Sequence, residues 1–343
     1  MSVLIALSLS VSTLPVAPVP EPARFDDWMA SCDNGRDCQA LAASQDWSQD
    51  FWTLSVKRKA DRAALPTIAI RPRFNETPSK FRVVVDGKEP GFPFDQSGDL
   101  TGDPQAFLSA LAKGAEAKVL DGDGNIVGII PTKGASAALR WIDDEQERED
   151  TVTAIVARGE KLESAVQQPP ALPTITVPPV SNEAPKTLEK DEIEAVQKAG
   201  DCYPFGPQEP EYFRLDEDHS LGLIPCGFGA YQGWSMAVTI DESGQWLPAR
   251  MEQTSEWSEQ DAADYPALGW TVTGPYFAHE TTMLSGFAKG RGLADCGTAT
   301  SWVWDGTMFR LAFYSAMNDC LGTLPSDWPI LWRTTNYEAA PKD

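Results

Sequence analysis

Six prolines fall within the twenty residues from Gln167 to Lys186: Pro169, Pro170, Pro173, Pro178, Pro179 and Pro185. Proline lacks an amide proton and fixes φ, so neither a helix nor a central strand can run through this stretch. The expectation is an extended, semi-rigid linker over residues 165–186. It would separate an N-terminal domain at 24–164 from a C-terminal domain at 187–335, leaving a short tail at 336–343. A chain of 343 residues is also long enough for about two domains.

Both halves read as mainly β, a β-rich α+β class in which two β-sheet domains carry a few short helices. Before the prolines, Phe51 to Lys59, Thr67 to Phe74 and Lys80 to Val85 are short β-rich runs ending at turn residues such as Asp86-Gly87. Asp103-Pro104 predicts a helix start, with Asp as the cap and Pro in the first turn, and Gly114 closes it. A hairpin is expected at Ala117 to Pro131. A second helix should run from a Ser136 cap through Glu149, with Leu139, Trp141 and Ile142 inward and Asp143, Asp144, Glu145 and Glu147 outward. After the prolines, a helix at Leu188 to Ala199 stops at Gly200. Strand-like runs follow at Leu221 to Ile224, Ser235 to Ile240, Gln245 to Met251, Ser301 to Trp304 and Met308 to Tyr314. Asp305-Gly306 predicts a hairpin between the last two.

The cysteines and the N-terminus point to one compartment. Val3 to Leu14 is an apolar run of twelve residues, too short for a membrane span but fit for the core of a secretory signal, with a Pro-rich exit up to residue 23. No Lys or Arg precedes it. No other segment is apolar enough to anchor the mature chain, so no stable membrane anchor is expected once the signal is removed. Six cysteines allow fifteen connectivities. Proximity favours Cys32 with Cys38, Cys202 with Cys226 and Cys296 with Cys320. None of these spacings is C-x-x-C, which argues against zinc-ribbon or thioredoxin-like chemistry. Each C-terminal bridge would close a loop worth ~3 kcal/mol in the loop-entropy account. Disulfides suit an oxidising location, so the protein is expected to be periplasmic or secreted.

Charge narrows the partners. Fifty acidic residues against twenty-eight basic ones leave a net charge of −22, which disfavours nucleic acid and anionic membrane surfaces. Twelve Trp and fourteen Phe mark the chain as globular rather than a disordered acidic tail.

Certain stretches resemble a known family. Phe25-Asp26-Asp27-Trp28 followed by Cys32-Asp33-Asn34 and Cys38, and Gly134-Ala135-Ser136-Ala137-Ala138-Leu139-Arg140 with the Ile142-Asp143 to Gln146 helix, are similar to exported bacterial proteins of domain of unknown function 1176. So are His219-Ser220-Leu221, Pro225-Cys226-Gly227, Gly229-Ala230-Tyr231, Phe287 to Leu293, Asp295-Cys296-Gly297, Trp302 to Gly306, Met317 to Cys320 and Trp328 to Arg333. The N-terminal half is distantly similar to invasion-associated locus B proteins, exported β-rich domains. It shares an early Trp with two cysteines, a Val-Asp-Gly strand end and Leu111-Ala112-Lys113-Gly114, but lacks a second cysteine pair near Phe92-Pro93-Phe94. Neither resemblance implies a reaction or catalytic residues.

Residue patterns for chemistry are sparse. Asp121, Asp123 and Asn125 match the first ligand positions of a calcium loop, but Ile126 and Thr132 stand where Gly and Glu are needed, so a polar turn is expected and no metal or cofactor. The two histidines are His219 and His279, and no nucleophile elbow occurs. His219 beside Asp216, Glu217 and Asp218 reads as a strand-edge histidine. Two features remain as a binding surface. Lys289 and Arg291 lie between glycines in a region, 201–343, with seven basic and twenty acidic residues. A cationic loop there suits an anion or a partner's carboxylate, with an Arg291–Asp295 pair as the structural alternative. Tyr231 and the i, i+2 pair Trp302 and Trp304 offer aromatic faces, with core packing as their alternative. The function expected is a non-enzymatic envelope or binding protein whose partner is an envelope glycan, an anion or a protein. The alternatives are a cell-wall or glycan hydrolase using carboxylates or His219, and a purely structural or secretion-assisting protein.

Overall fold

The computed structural model describes residues 15–42, 52–73, 77–203, 208–256, 263–264 and 266–335; the apolar run at Val3 to Leu14 and the tail lie outside them. A two-residue strand, β1 (Val16–Ala17), comes first. An antiparallel meander follows, made of β2 (Ala23–Phe25), β3 (Trp28–Cys32), β4 (Cys38–Ala42), β5 (Trp52–Arg58) and β6 (Thr67–Pro72). All five residues of β3 and all five of β4 are buried. Successive side chains leave opposite faces of a strand, so this sheet is covered on both sides. Trp28, Ala30 and Cys32 enter one core with Trp52, Phe81, Phe107 and Ile142. Met29 and Leu41 leave the other face and pack with Cys296, Met317, Leu321 and Trp328 of the C-terminal half.

The next strands are β7 (Phe81–Val85), β8 (Phe92–Phe94), β9 (Ala117–Asp121) and β10 (Ile126–Ile130), in the sheet order β10-β9-β7-β8. Helix α1 (Pro104–Lys113) begins as the sequence predicts, its Asp103 carboxylate accepting the Gln105 amide, and buries Phe107, Leu108 and Leu111. Helix α2 (Ala135–Glu145) departs from expectation at both ends and on one face. Its cap is Gly134 at φ 96°, where a Cβ would collide with the carbonyl oxygen of Phe25, rather than Ser136. It stops before Gln146 because Glu147 turns left-handed, at φ 54°. Asp143 is fully buried, not outward. It lies at i+4 from Leu139, on the apolar face, and its carboxylate accepts the amides of Ile155, Val156 and Ala157.

The proline-rich segment carries neither helix nor strand from 167 to 186. It lies along the C-terminal half: Ile175 packs on Val303 and Ala312, and the Thr335 amide donates to the Pro173 carbonyl at 2.9 Å.

Helix α3 (Lys190–Ala199) follows, opened by reciprocal Glu189 and Glu192 caps. After it come β11 (Glu211–Arg214), β12 (His219–Phe228), β13 (Gly233–Asp241), β14 (Trp246–Pro248), β15 (Gln253–Thr254) and β16 (Thr271–Thr273). One sheet runs β11-β12-β13-β14, with β16 also on β13. The last strands, β17 (Tyr276–Ala278), β18 (Met283–Lys289), β19 (Gly297–Trp304), β20 (Phe309–Met317) and β21 (Ile330–Arg333), form an antiparallel meander. The two sheets enclose Leu221, Leu223, Ala237, Leu284, Trp304 and Phe309. Val196 of α3 covers Ile224, Met236 and Val238 on the outer face of the first. The fold is mainly β, as expected from the sequence. The disulfides join Cys32 to Cys38, Cys202 to Cys226 and Cys296 to Cys320.

The exit segment read after the signal is part of this fold. β1 pairs in parallel with β15, and Ala17 and Val19 bury against Leu311, Tyr314, Ala316 and Leu331.

Candidate functional site

The residues picked from the sequence fall in two places. Tyr231, Lys289 and Arg291 share a corner where the β12–β13 turn meets the end of β18. The side-chain amide of Gln232 joins them, its Oε1 accepting the Lys289 amide and its Nε2 donating to the Phe287 carbonyl, both at 2.7 Å. The Tyr231 ring lies beside Gly292, and its hydroxyl donates to the Gly290 carbonyl at 3.4 Å. Arg291 is engaged by a structural acid: Nε and Nη2 donate to Asp295 at 2.7 and 2.5 Å, and Nη2 reaches the Cys320 carbonyl at 3.3 Å. Asp295 also accepts the Gly322 amide at 2.7 Å. Burial works against the Asp295 charge, but these hydrogen bonds outweigh it and hold the carboxyl below its usual value. Arg291 thus ties together the two ends of the Cys296–Cys320 loop. Asp295, Cys296 and Cys320 lie close enough to share an ion, yet the sulfurs are in a disulfide and the carboxylate is paired, which leaves a poor ligand set.

Trp302 and Trp304 are elsewhere. Lys289 pairs with Gly297, whereas Trp302 pairs with Leu284, five residues further along β19, roughly 17 Å away at ~3.3 Å per residue. Trp304 is 2% exposed and its Nε1 donates to Asp216 at 2.7 Å, so it is a core side chain and offers no face to a ligand. The expectation of one surface joining all five residues is therefore corrected: strand register separates the tryptophans from the loop. The Asp216 carboxylate also accepts the Asp218 and His219 amides and meets His219 Nδ1 at 3.0 Å. Burial is again outweighed by these donors, and Asp216 sits below its usual value. The neighbouring Ser220 points to the opposite face of β12, where its hydroxyl accepts the Lys186 amide at 2.9 Å. Asp121 uses its oxygens within its own turn, accepting from Asp123 and Asn125.

A third place was not legible as a motif. Pro173 to Thr176 roof a cavity of about 280 Å³ floored by Glu252, Arg310, Leu311, Trp332 and Thr334, with Asp305 at its side. The Glu252 carboxylate accepts Arg310 Nε at 2.9 Å, Arg310 Nη2 at 3.3 Å and the Leu311 amide at 2.9 Å. Arg310 lies 3.7 Å from Asp305, and the Glu252 hydrogen bond raises its already high pKa, so it stays charged. Trp332 is fixed by its Nε1 donating to the Leu311 carbonyl at 3.1 Å. The Thr334 hydroxyl is buried, with no hydrogen-bond partner among the described residues. A signal was available for Arg310, one of the seven basic residues after Asp201, but strand spacing gave it no flexible glycine neighbours to mark it. A second cavity, about 360 Å³ around Glu89, Pro90 and Phe92, lies between β7, β8 and α1.

A family model described as protein of unknown function (DUF1176) matches residues 23–335. A relative from Escherichia coli strain K12, named uncharacterized protein YpfG, is 28% identical over 342 residues, covering 92% of this chain and 93% of its own. A solved structure titled invasion associated protein B, from Bartonella henselae, aligns with 15% identity and a TM-score of 0.28 over 37% of this chain and 99% of its own.

Proposed function

The chain belongs to the DUF1176 family of proteins of unknown function, and from that premise we propose that it is an exported, non-enzymatic binding protein whose cavity under Pro173 to Thr176 takes a small polar ligand of the cell envelope. The observation that carries this reading is Thr334, a residue 2% exposed that lines the cavity with Arg310 and Glu252 and whose hydroxyl has no partner among the described residues. A buried hydroxyl without a partner costs free energy that a bound donor or acceptor would return. Three disulfides favour an oxidising compartment. No helix among the described residues is long and apolar enough to cross a membrane.

Binding is favoured over glycan cleavage by what the two cavity carboxylates do. Glu252 is engaged by Arg310 and the Leu311 amide, and Asp305 Oδ1 by the Thr307 and Met308 amides of its own turn. Glu252 and Asp305 Oδ1 act as fixed acceptors and Asp305 Oδ2 faces the Arg310 cation at 3.7 Å, which favours the ionised carboxylate over the protonated acid a hydrolase needs.

The test is thermal melting of the oxidised protein against pools of small polar compounds that span neutral, cationic and anionic types. A ligand at a hundred times its Kd adds ~2.7 kcal/mol, which is a shift of a few degrees. A pool that shifts the native protein but not a Thr176→Trp variant, which plugs the cavity roof, supports the reading; no shift with any pool sinks it. Export is checked separately by fractionating cells that express the full chain.

A further inference from the structure

Resting on that binding reading, we infer that the cavity takes a neutral, polyhydroxylated ring, a single sugar unit in size and chemistry, rather than an anion or an amine. Size comes first. About 280 Å³ is the liquid volume of roughly nine waters and lies at the low end of small-molecule sites, which suits one ring rather than a chain.

Charge comes second. Glu252, Asp305 and Arg310 together leave one net negative charge at the wall. An anion would meet two carboxylates, and Arg310, the one cation among the described lining residues, is already paired with both. An amine would have Asp305 Oδ2 to pair with, and that oxygen already faces the Arg310 cation, 3.7 Å from Nη1. A carboxylate offers about four acceptor positions, and three of those on Glu252 are already occupied by Arg310 and Leu311.

Hydroxyl groups fit what remains. One acceptor position on Glu252 is open, while Arg310 has five N–H donors, of which Nε and one on Nη2 go to Glu252. A diol can donate to the carboxylate and accept from the guanidinium at adjacent oxygens. The Thr334 and Thr176 hydroxyls can both donate and accept, and the Thr174 hydroxyl, already bonded to that of Thr335 at 2.8 Å, keeps one further role. Trp332 contributes an aromatic wall fixed by its own hydrogen bond, the kind of surface against which the C–H face of a sugar ring packs.

The experiment uses the full oxidised chain and three matched probes: N-acetylglucosamine, which is neutral, glucosamine, a cation, and glucuronate, an anion. Each is titrated by tryptophan fluorescence and by ligand-observed NMR against the native protein and Thr334→Val. The neutral sugar should bind with at least tenfold preference over both charged probes, and Thr334→Val should weaken it about fivefold to tenfold. That variant also removes an unsatisfied hydroxyl at nearly constant shape, so its ligand-free Tm should be equal to or above the native value. A fall in binding therefore cannot be blamed on a lost fold. Preferential binding of glucosamine or glucuronate overturns the neutral-sugar inference while leaving the binding reading intact. No response to any of the three overturns it as well, and the pooled melting experiment then decides the binding reading on its own. Equal binding by Thr334→Val overturns the placement.

Discussion

At the scale of single residues, the acids that matter are the few that are buried and fully engaged. Asp295 is 5% exposed and is balanced by Arg291 and the Gly322 amide. Arg291→Ala leaves that carboxylate without its cation, and should lower unfolding free energy by about 2 kcal/mol, measured by urea denaturation. Asp216 and Asp295 bind protons more weakly in the folded chain than in the unfolded one, since both sit below the ordinary value of 3.8. Their contribution to stability is therefore complete above that value and drains away as pH falls below it. Melting against pH should be level with respect to these two groups above about pH 5 and fall steeply below 3.8, and Trp304→Phe, which removes a donor to Asp216, should make that fall shallower. The Arg291–Asp295 pair was legible as an i, i+4 spacing. Asp216 was not, because its partner Trp304 lies 88 residues away and nothing local selects it from Glu217 and Asp218.

At the scale of elements, local chemistry was readable wherever the chain met its own neighbours. α1 starts at Pro104 and stops at Gly114 because cap, first turn and stop are adjacent in sequence. α2 was misread where its ends depend on distant backbone: Gly134 is required by the Phe25 carbonyl, and Asp143 by the amides at 155–157. Gly134→Ala combines a left-handed φ with a collision against backbone, so it should cost about 2–4 kcal/mol in chemical denaturation, or prevent soluble expression. The same reasoning accounts for the cavity. Its wall combines Glu252, Arg310 and Thr334 with the roof at 173–176, four stretches that only the tertiary fold brings together.

At the scale of the whole molecule, the two halves are held by more than the proline-rich segment. The Cys32–Cys38 loop docks on β21, where Asn34 accepts the Arg333 amide at 2.9 Å and donates to its carbonyl at 3.0 Å, while Arg333 pairs with Asp33 and Asp37. Met29 and Leu41 pack beside this contact against Trp328 and Met317. Asn34→Ala should loosen the junction by about 1–2 kcal/mol, with faster hydrogen exchange at β3 and β21 while amides in the cores of both halves keep their protection. Sequence reading treated 165–186 as a spacer because six prolines dominate its composition. The buried Ile175 and the Thr335–Pro173 hydrogen bond depend on a strand register that composition does not encode.

The short pair between β1 and β15 sets an order of events. Val19 and Ser255 exchange hydrogen bonds although they stand 236 positions apart, so a growing chain displays the first partner long before the second exists. The earliest described residues must wait, unpaired, until about three-quarters of the polypeptide has been made. The assembly then closes like a clasp whose two ends are made far apart in time. A stalled chain released before Gln253 would lack that clasp and leave Ala17 and Val19 bare, which offers a holdase or a protease a handle that the finished protein has buried.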